Sequence, residues 1–383
     1  MTAVRRGAGL RAVARTFGVS LSMVQRWYRR AQGQRLDRAE FADRSSRPFR
    51  TTRTSVALEE TIVRRRRELQ EQSDLGLVGA AVIHRVLSQA GHRNVPSVRT
   101  IGRILERHGV LEGRHRVRRP PPPLGWYLPE VARRDAELDS LDIVEGLVIR
   151  GGPHIEVLNV VSLHGGLPQS WPIRSPVSAK YTFRALLQHW RAVGLPHFAQ
   201  FDNDTIFQGA HQHPDSFGRV TRLCLALGIT PVFAPPREPG FQAAIESYNG
   251  LWQRTVWRRF DHPTVHTLQL RSALFVAALR RHRHLRVEGA PPRRPFPSHC
   301  PISLQAPLQG RVIYLRRTTA AGVVEVLGHQ FPLGAAWPHR LVRCEVLLSR
   351  QRIRCFALRR RAHHLQPLLA EFPYEPPTRP FRE

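Results

Sequence analysis

Lysine is almost missing from this chain of 383 residues: Lys180 is the single one, and arginine makes up the rest of 59 basic residues. Acidic residues are few as well, 29, which leaves a formal net charge of +30. A coding bias toward GC accounts for arginine in place of lysine, but not for a twofold excess of basic over acidic side chains. A field of that sign attracts polyanions. Its sources are spread along the chain instead of gathered in one tail, so nucleic acid is the expected partner, ahead of an anionic membrane. Cysteine is scarce: Cys224, Cys300, Cys344 and Cys355 show neither CxxC pairing nor paired His/Cys spacing. That argues against a zinc module and a disulfide framework, and fits a reducing compartment. No apolar stretch approaches the roughly 18 residues of a membrane span. The basic residues 1–9 lack the apolar centre of a secretory signal. These absences lead us to expect a soluble, cytoplasmic protein.

What is present divides into units. The length suits two to four domains, and a hydrophobic fraction of 42% can bury a real core. Residues 44–53 form a Ser/Arg/Thr/Pro run and residues 116–123 end in four consecutive prolines, so both are expected to be linkers. A third loose stretch, 289–301, is rich in proline and arginine. The expected organisation is a helix-turn-helix unit over 1–43, a second helical unit over 55–116 and a proline-rich linker over 117–137. A central block over 138–262, a helix and linker over 263–308, and a C-terminal unit over 309–370 follow.

In the first unit Leu10, Val13, Ala14 and Phe17 recur at helical spacing. Gly18 can supply a left-handed turn, Ser20 can cap a following helix, and Val24 and Trp27 continue an apolar face. Helix, short glycine turn, helix is the helix-turn-helix pattern. Its second helix would expose Ser22, Gln25, Arg26 and Arg29, side chains suited to base edges and phosphates. A plain helical hairpin with a solvated basic face is the alternative, and the register of Ala14, Gly18 and Val24 favours DNA. In the second unit, three helices are marked by Leu58, Ile62 and Leu69, by Ala80, Ile83 and Leu87, and by Val98, Ile101 and Leu105. Pro96-Ser97 starts the third, which exposes Arg99, Arg103 and Arg107. A trihelical DNA-binding unit and a structural spacer both fit.

From Leu138 the pattern turns to β. Residues 141–149 and 155–161 are apolar, β-branched runs separated by Arg150-Gly-Gly-Pro153, a hairpin signal. A polar-interleaved strand over 168–173, a helix over 179–191 and a short strand over 198–201 follow. Then come a helix over 220–227, a strand over 229–233, a loop over 235–240 and a long helix over 241–260. A meander of three strands followed by α/β alternation is an α/β sheet of ribonuclease H-like order. In this acid-poor chain, three acidic residues sit at special places. Asp142 lies within the first strand, Asp202 just past the end of a later one, and Glu246 one to two turns into the helix after the Pro/Gly loop. Carboxylates brought together from such places would repel unless divalent cations neutralised them, and two Mg²⁺ ions roughly 3.5–4 Å apart serve phosphoryl transfer in that way. Taken singly, Asp202 capping a turn and Glu246 solvating a helix face would be equally ordinary.

Three segments carry a family resemblance. Phe201-Asp-Asn-Asp204-Thr-Ile-Phe207 resembles the Asp-Asn-Gly-x-x-Phe motif of the retroviral-integrase superfamily. The Pro-x-x-Pro-Gly-x-x-x-x-x-Glu-x-x-Asn spacing from Pro236 to Asn249 resembles the segment leading to its catalytic glutamate, and Leu141-Asp-Ile-Val-Glu-Gly146 its first-aspartate strand. Over nearly its full length the chain is similar to bacterial insertion-sequence transposases of the DDE class. The resemblance implies a transposase or integrase that cleaves transposon ends and transfers strands into target DNA, without a covalent protein intermediate. It implies Asp142, Asp202 and Glu246 as catalytic and metal-binding residues for Mg²⁺ or Mn²⁺, two ions, with Asn203 and Asn249 in support. It further implies double-stranded DNA as partner, a homo-oligomer assembled on that DNA, and a place at the bacterial nucleoid. The chain departs from the pattern at Asp204 in place of glycine, at Phe201 in place of a small polar residue, and in a connection lengthened over 211–217. Asp139 rivals Asp142 as first aspartate, although Asp-x-x-x-Gly and the central strand position favour Asp142. Glu145 would point to the opposite face.

The C-terminal unit alternates apolar and polar residues in short runs separated by turns, expected to form a small β-barrel. In similar transposases this position holds an SH3-like barrel, and Arg350, Arg352, Arg354 and Arg359–Arg361 would supply phosphate contacts; a structural or multimerising barrel fits as well. The rival reading of the whole is a catalytically inactive DNA-binding protein derived from a transposable element. A metal nuclease acting on RNA fits less well, given two helix-turn-helix-like units.

Overall fold

Helical spacing and one glycine shape the N-terminal unit, residues 1–60. The computed structural model describes residues 1–42, 53–72, 77–111, 122–149, 151–210, 213–238, 240–299, 302–378 and 380–381. The expected linkers at 44–53 and 116–123 fall outside these residues except at 53 and 122–123, as do Arg150, His211, Pro239 and Cys300. Helices α1 (Thr2–Arg5), α2 (Leu10–Thr16) and α3 (Leu21–Ala31) pack Val13, Ala14 and Val24 into a small core against Leu10, Val19 and Leu21. Gly18 turns the chain at φ +61°, and Ser20 Oγ caps α3 by accepting the Met23 N–H at 3.3 Å. Phe17, expected on the inner face, is 63% exposed. It is the C-cap of α2, where φ and ψ have left helical values, so the spacing from Val13 no longer carries it inward. The short α1 is tied down by Arg5, which donates to the Ala31 carbonyl at 2.8 Å.

Helix α4 (Val56–Gln72) runs from the first unit into the second, residues 61–383. There α5 (Ala80–Gln89) and α6 (Val98–Arg107) follow, the latter capped by Ser97 Oγ on the Thr100 N–H. Ile62, Ile83, Leu87, Ile101 and Leu105 are fully buried, as their spacing predicts. Residues 122–137 depart from expectation. Instead of a linker they form a docked segment with a helical turn, α7 (Pro129–Ala132), in which Trp126, Tyr127, Leu128 and Val131 are buried. The aromatic pair outweighs the prolines before it: both rings pack on Phe241, and Tyr127 donates to the Phe241 carbonyl at 3.2 Å.

The strands of the second unit are β1 (Leu138–Val148), β2 (His154–Ser162), β3 (Pro168–Arg174), β4 (Phe198–Phe201), β5 (Thr230–Phe233), β6 (Arg311–Arg317), β7 (Val323–Val326), β8 (His329–Pro332), β9 (Leu341–Leu347), β10 (Arg352–Ala357) and β11 (Leu368–Pro373). Between them lie α8 (Ala179–Val193), α9 (Thr205–Gln208), α10 (Arg219–Ala226), α11 (Ala243–Trp252), α12 (Val265–His282) and α13 (His284–Glu288). β1, β2 and β3 form an antiparallel meander; β4 and β5 add in parallel beside β1. The order β3-β2-β1-β4-β5 is the ribonuclease H-like one expected from the sequence. Both faces are covered. Leu141, Leu158 and Val160 join α8 and α10 in one core, whereas Val144, Val157 and Val161 join α11 and α12 in another. Strand alternation of period two sorts them. Among the described residues no helix is long and apolar enough to cross a membrane, and Cys224, Cys344 and Cys355 are buried free thiols.

The C-terminal strands correct a second expectation. β6 pairs in parallel with β5 (Val232↔Ile313, Phe233↔Tyr314), so β6-β9-β10-β11 extends the central sheet to nine strands instead of closing a separate barrel. Phe233 stacks on Tyr314 at 5.1 Å, joining the two halves in one core. Only β7 and β8 stand apart, as a two-stranded hairpin. The long helix expected over 241–260 is α11 followed by one π-helical turn, Gln253–Trp257. Of the loose stretch at 289–301, the described part is tied to the core: Arg294 bridges Leu195, and Arg293 reaches Asp139.

Candidate active site

Strand β1 carries two aspartates on opposite faces. Asp139 turns toward α8, where it is fully buried. Arg293 grips both its oxygens at 2.8 and 2.7 Å and Trp190 Nε1 donates at 3.0 Å. Burial alone would raise its pKa, but the Arg293 charge and hydrogen bonds hold it below the usual carboxylate value. The oxygens of Asp139 are thus already taken by Arg293 and Trp190. Asp142, three residues on, turns toward α11. The register then breaks between Val144 and Leu147, where Gly146 adopts φ +72°, so Glu145 lies in a bulge and is exposed. The glycine four residues after the aspartate is therefore a backbone requirement.

Asp202 follows the last residue of β4. Ser140 pairs with Gln200 at the end of the parallel β1–β4 ladder, and Asp142 and Asp202, each two residues further on, stand near enough for the charge of Asp202 to act on Asp142. The chain then turns sharply. Asp202 Oδ1 accepts the Asp204 N–H at 3.0 Å, and Asp204 in turn caps α9 through the Ile206 N–H at 2.7 Å. Asp204 is thus an N-cap. Phe207 anchors the turn from below, fully buried 5.0 Å from Phe201, while Asn203 Nδ2 donates to the Ala234 carbonyl at 2.7 Å. The lengthened connection docks at its end: Asp215 accepts from Tyr374 Oη at 2.9 Å and faces His329 Nε2 at 2.9 Å.

Helix α11 lies across β1 and β2 with Ile245, Tyr248 and Trp252 buried against the sheet. Asn249 Nδ2 donates to Asp142 Oδ2 at 2.7 Å, and Asn159 of β2 donates to Asn249 Oδ1 at 2.8 Å. Glu246 stands one turn before Asn249 and is exposed. Asn159 was not among the expected site residues. Its signal was in the sequence, since an asparagine inside Val157-Leu-Asn-Val-Val161 breaks a run that burial would otherwise fill with apolar side chains.

The electrostatics set this corner apart. Burial, the charge of Asp202 and, to a smaller degree, that of Glu246 push the pKa of Asp142 up to about 6 against the hydrogen bond from Asn249. Asp202 is raised too, by burial and the charge of Asp204 against the hydrogen bond from the Asp204 N–H. Among the described residues no arginine, lysine or histidine forms an ion pair with Asp142, Asp202 or Glu246. Their uncompensated carboxylate oxygens are the donors a hard divalent cation takes, which is the chemistry that suits the expected Mg²⁺ or Mn²⁺. As the side chains stand, no three His, Cys, Asp or Glu residues among those described are close enough to hold a metal ion. The charges of Asp202 and Glu246 act on Asp142 without the three closing into a shell.

The basic residues fall into two classes. Ser22, Gln25, Arg26 and Arg29 are exposed on α3, and Arg99 and Arg103 on α6. Other arginines are used internally: Arg280, Arg283 and Arg286 donate to backbone carbonyls of Pro168, Gly166, His164 and Leu163 around the β2–β3 turn. Of the C-terminal arginines expected on phosphate, Arg352 and Arg354 both lean on Glu371, at 3.9 and 2.7 Å.

No protein-family model and no curated protein matches the sequence. Solved structures similar to the chain include the catalytic core domain of BIV integrase, 20% identical over 37% of this chain and 82% of that one, with a TM-score of 0.27. They also include a chain of the simian T-cell lymphotropic virus intasome in complex with PP2A regulatory subunit B56 gamma, 13% identical over 68% of this chain and 88% of that one, with a TM-score of 0.34. At those scores the likeness carries no argument. The integrase-core-like arrangement, a mixed sheet with helices on both faces, rests on the strand order and register of the chain itself.

Proposed function

We propose that the protein is a divalent-metal-dependent polynucleotidyl transferase of the transposase/integrase kind, cutting DNA at the ends of a mobile element and joining them to target DNA. One observation supports this above the rest. A chain with 59 basic residues neutralises Asp139 with a bidentate arginine, yet leaves Asp142, Asp202 and Glu246 without any such partner. Asp142, Asp202 and Glu246 would hold Mg²⁺ or Mn²⁺, two ions in the two-metal arrangement. Bound there, divalent ions would supply charge neutralisation to an in-line displacement at a phosphodiester. Asn249 holds one oxygen of Asp142 and so orients the other, while Asn203 ties the Asp202 turn to the backbone beyond β5. The exposed side chains of α3 and α6 would grip double-stranded DNA, and a homo-oligomer would hold two element ends together.

The test is strand cleavage and joining on duplexes carrying the element's ends, with and without Mg²⁺ or Mn²⁺. The wild type is expected to act only with metal, and Asp202→Ala to lose both activities while binding duplex as before. Cleavage that survives in Asp202→Ala would overturn the assignment. A second reading, a DNA-binding protein without catalysis, is favoured by the open placement of the three carboxylates and the exposure of Glu246. It predicts duplex binding with no metal-dependent cleavage under any condition.

A further inference from the structure

On the face of the sheet beneath α11, one polar row crosses three strands. Asp142 on β1 stands opposite Asn159 on β2, which stands opposite Ser170 on β3, so three polar side chains share one face in line across three strands. Helix α11 meets that row twice. Asn249 bonds to Asp142 at 2.7 Å and to Asn159 at 2.8 Å; the neighbouring Tyr248 bonds its hydroxyl to Ser170 Oγ at 2.6 Å. Around them the contact is made by Ile245, Leu251 and Trp252 against Val144, Leu147, Val157 and Val161.

Apolar contact is non-directional and tolerates sliding. Hydrogen bonds do not: a shift of α11 by one turn, about 5.4 Å, would leave Asn159, Ser170, Tyr248 and Asn249 buried without their partners. The row also carries a cost that packing alone does not explain. Asn159 Oδ1 is buried with no hydrogen-bond partner among the described residues, a desolvation cost of the asparagine itself.

We propose that this polar row is a register lock: Asn159, Ser170 and Tyr248 are positioning residues that fix where α11, and with it Glu246, stands relative to Asp142. The proposal rests on the reading of Asp142, Asp202 and Glu246 as a metal site. Asn159 acts through Asn249, by holding the amide with its Nδ2 toward Asp142; Tyr248 and Ser170 set the height of the helix one residue earlier. The lock matters because Glu246 itself is exposed, and among the described residues its side chain has no hydrogen bond or ion pair to set its distance.

Calorimetric titration of the full chain with Mn²⁺ tests this without recourse to activity. Asn159→Ala is expected to weaken Mn²⁺ binding roughly tenfold, the usual scale for an outer-shell partner. Tyr248→Phe keeps the ring stacked on Phe275 but loses the hydroxyl, and should weaken binding in the same direction by less. Ser170→Ala should follow Tyr248→Phe, and Ser170→Thr, which keeps a hydroxyl, should stay at wild-type affinity. Phe275→Leu is the control, since it loosens the same core without touching a polar contact and should leave Mn²⁺ affinity unchanged at a lowered melting temperature. Wild-type affinity in both Asn159→Ala and Tyr248→Phe would overturn the proposal. So would a loss in Phe275→Leu equal to theirs, because general loosening would then suffice. If Asn159→Ala does not fold, the Tyr248 and Ser170 variants decide. A wild type that binds no Mn²⁺ is a different failure, of the functional reading itself.

Discussion

Asp139 and Asp142 lie three residues apart on β1, and the protein treats them in opposite ways. Asp139 faces α8, is buried, and receives two bonds from Arg293 and one from Trp190. Asp142 faces α11, meets the charges of Asp202 and Glu246, and receives only neutral hydrogen bonds, from the Ile143 backbone and from Asn249. The first is a structural ion pair whose charges cancel. The second is a concentration of like charge that the fold maintains at a cost. In a protein so rich in arginine, the informative part is that none of the described arginines forms an ion pair with Asp142.

The largest effect should come from exchanging the two roles. Asp139→Asn leaves Arg293 buried without its counter-charge and should cost about 3–5 kcal/mol in chemical denaturation. Asp142→Asn should cost nothing or stabilise the protein, since it removes repulsion and keeps the hydrogen-bond geometry. A loss of similar size in both variants would erase the distinction.

The pH dependence should separate them by sign. Asp142 has its folded pKa raised to about 6 from 3.8, so its penalty is fully present above pH 6 and disappears as pH falls toward 3.8. Relative to Asp142→Asn, the wild type should gain up to about 3 kcal/mol of stability across that window. Asp139 is lowered, so its contribution is complete above 3.8 and is lost as pH drops further through the folded value. Denaturation midpoints of both variants and the wild type between pH 3 and 8 would show whether the two aspartates move oppositely.

Divalent metal should sharpen the contrast more gently. Mn²⁺ in excess is expected to raise the melting temperature of wild type and of a Glu145→Gln control, and to leave Asp142→Asn unmoved, by linkage of binding to folding. An equal rise in all three would place the ion elsewhere. The smallest effect belongs to Asp204. Asp204→Gly loses the N-cap of α9, worth a few tenths of a kcal/mol against glycine. It also removes a charge that raises Asp202, so the Asp202 titration followed by NMR should shift downward.

The two aspartates also mark what a sequence can yield. Alternation along β1 separates position 139 from 142, and Gly146 announces the bulge, so the face and end of the first carboxylate were legible. So were the meander, Asp202 beyond β4 and the helix bearing Glu246, because each combines apolar periodicity with a turn residue. The β5–β6 pairing was not, since a strand of four residues gives no sign of which neighbour it will take. Nor was the docking of Trp126 and Tyr127 behind a run of prolines, a case where long-range packing overrules local composition. Composition could not distinguish Arg283 or Arg293, buried on internal acceptors, from Arg26 on an exposed helix; partners decide that, and partners lie far away in sequence.

The junction of β5 and β6 bears on how the chain can be divided. Were the C-terminal segment a free-standing module, cutting near residue 308 would yield two soluble pieces. With β6 laid against β5 and Phe233 stacked on Tyr314, the cut would instead strip the cover from a short inner strand, baring its unpaired amides and carbonyls and the ring beside them. Such a bare edge is a template for adventitious strand addition, and the truncated piece would be prone to self-association.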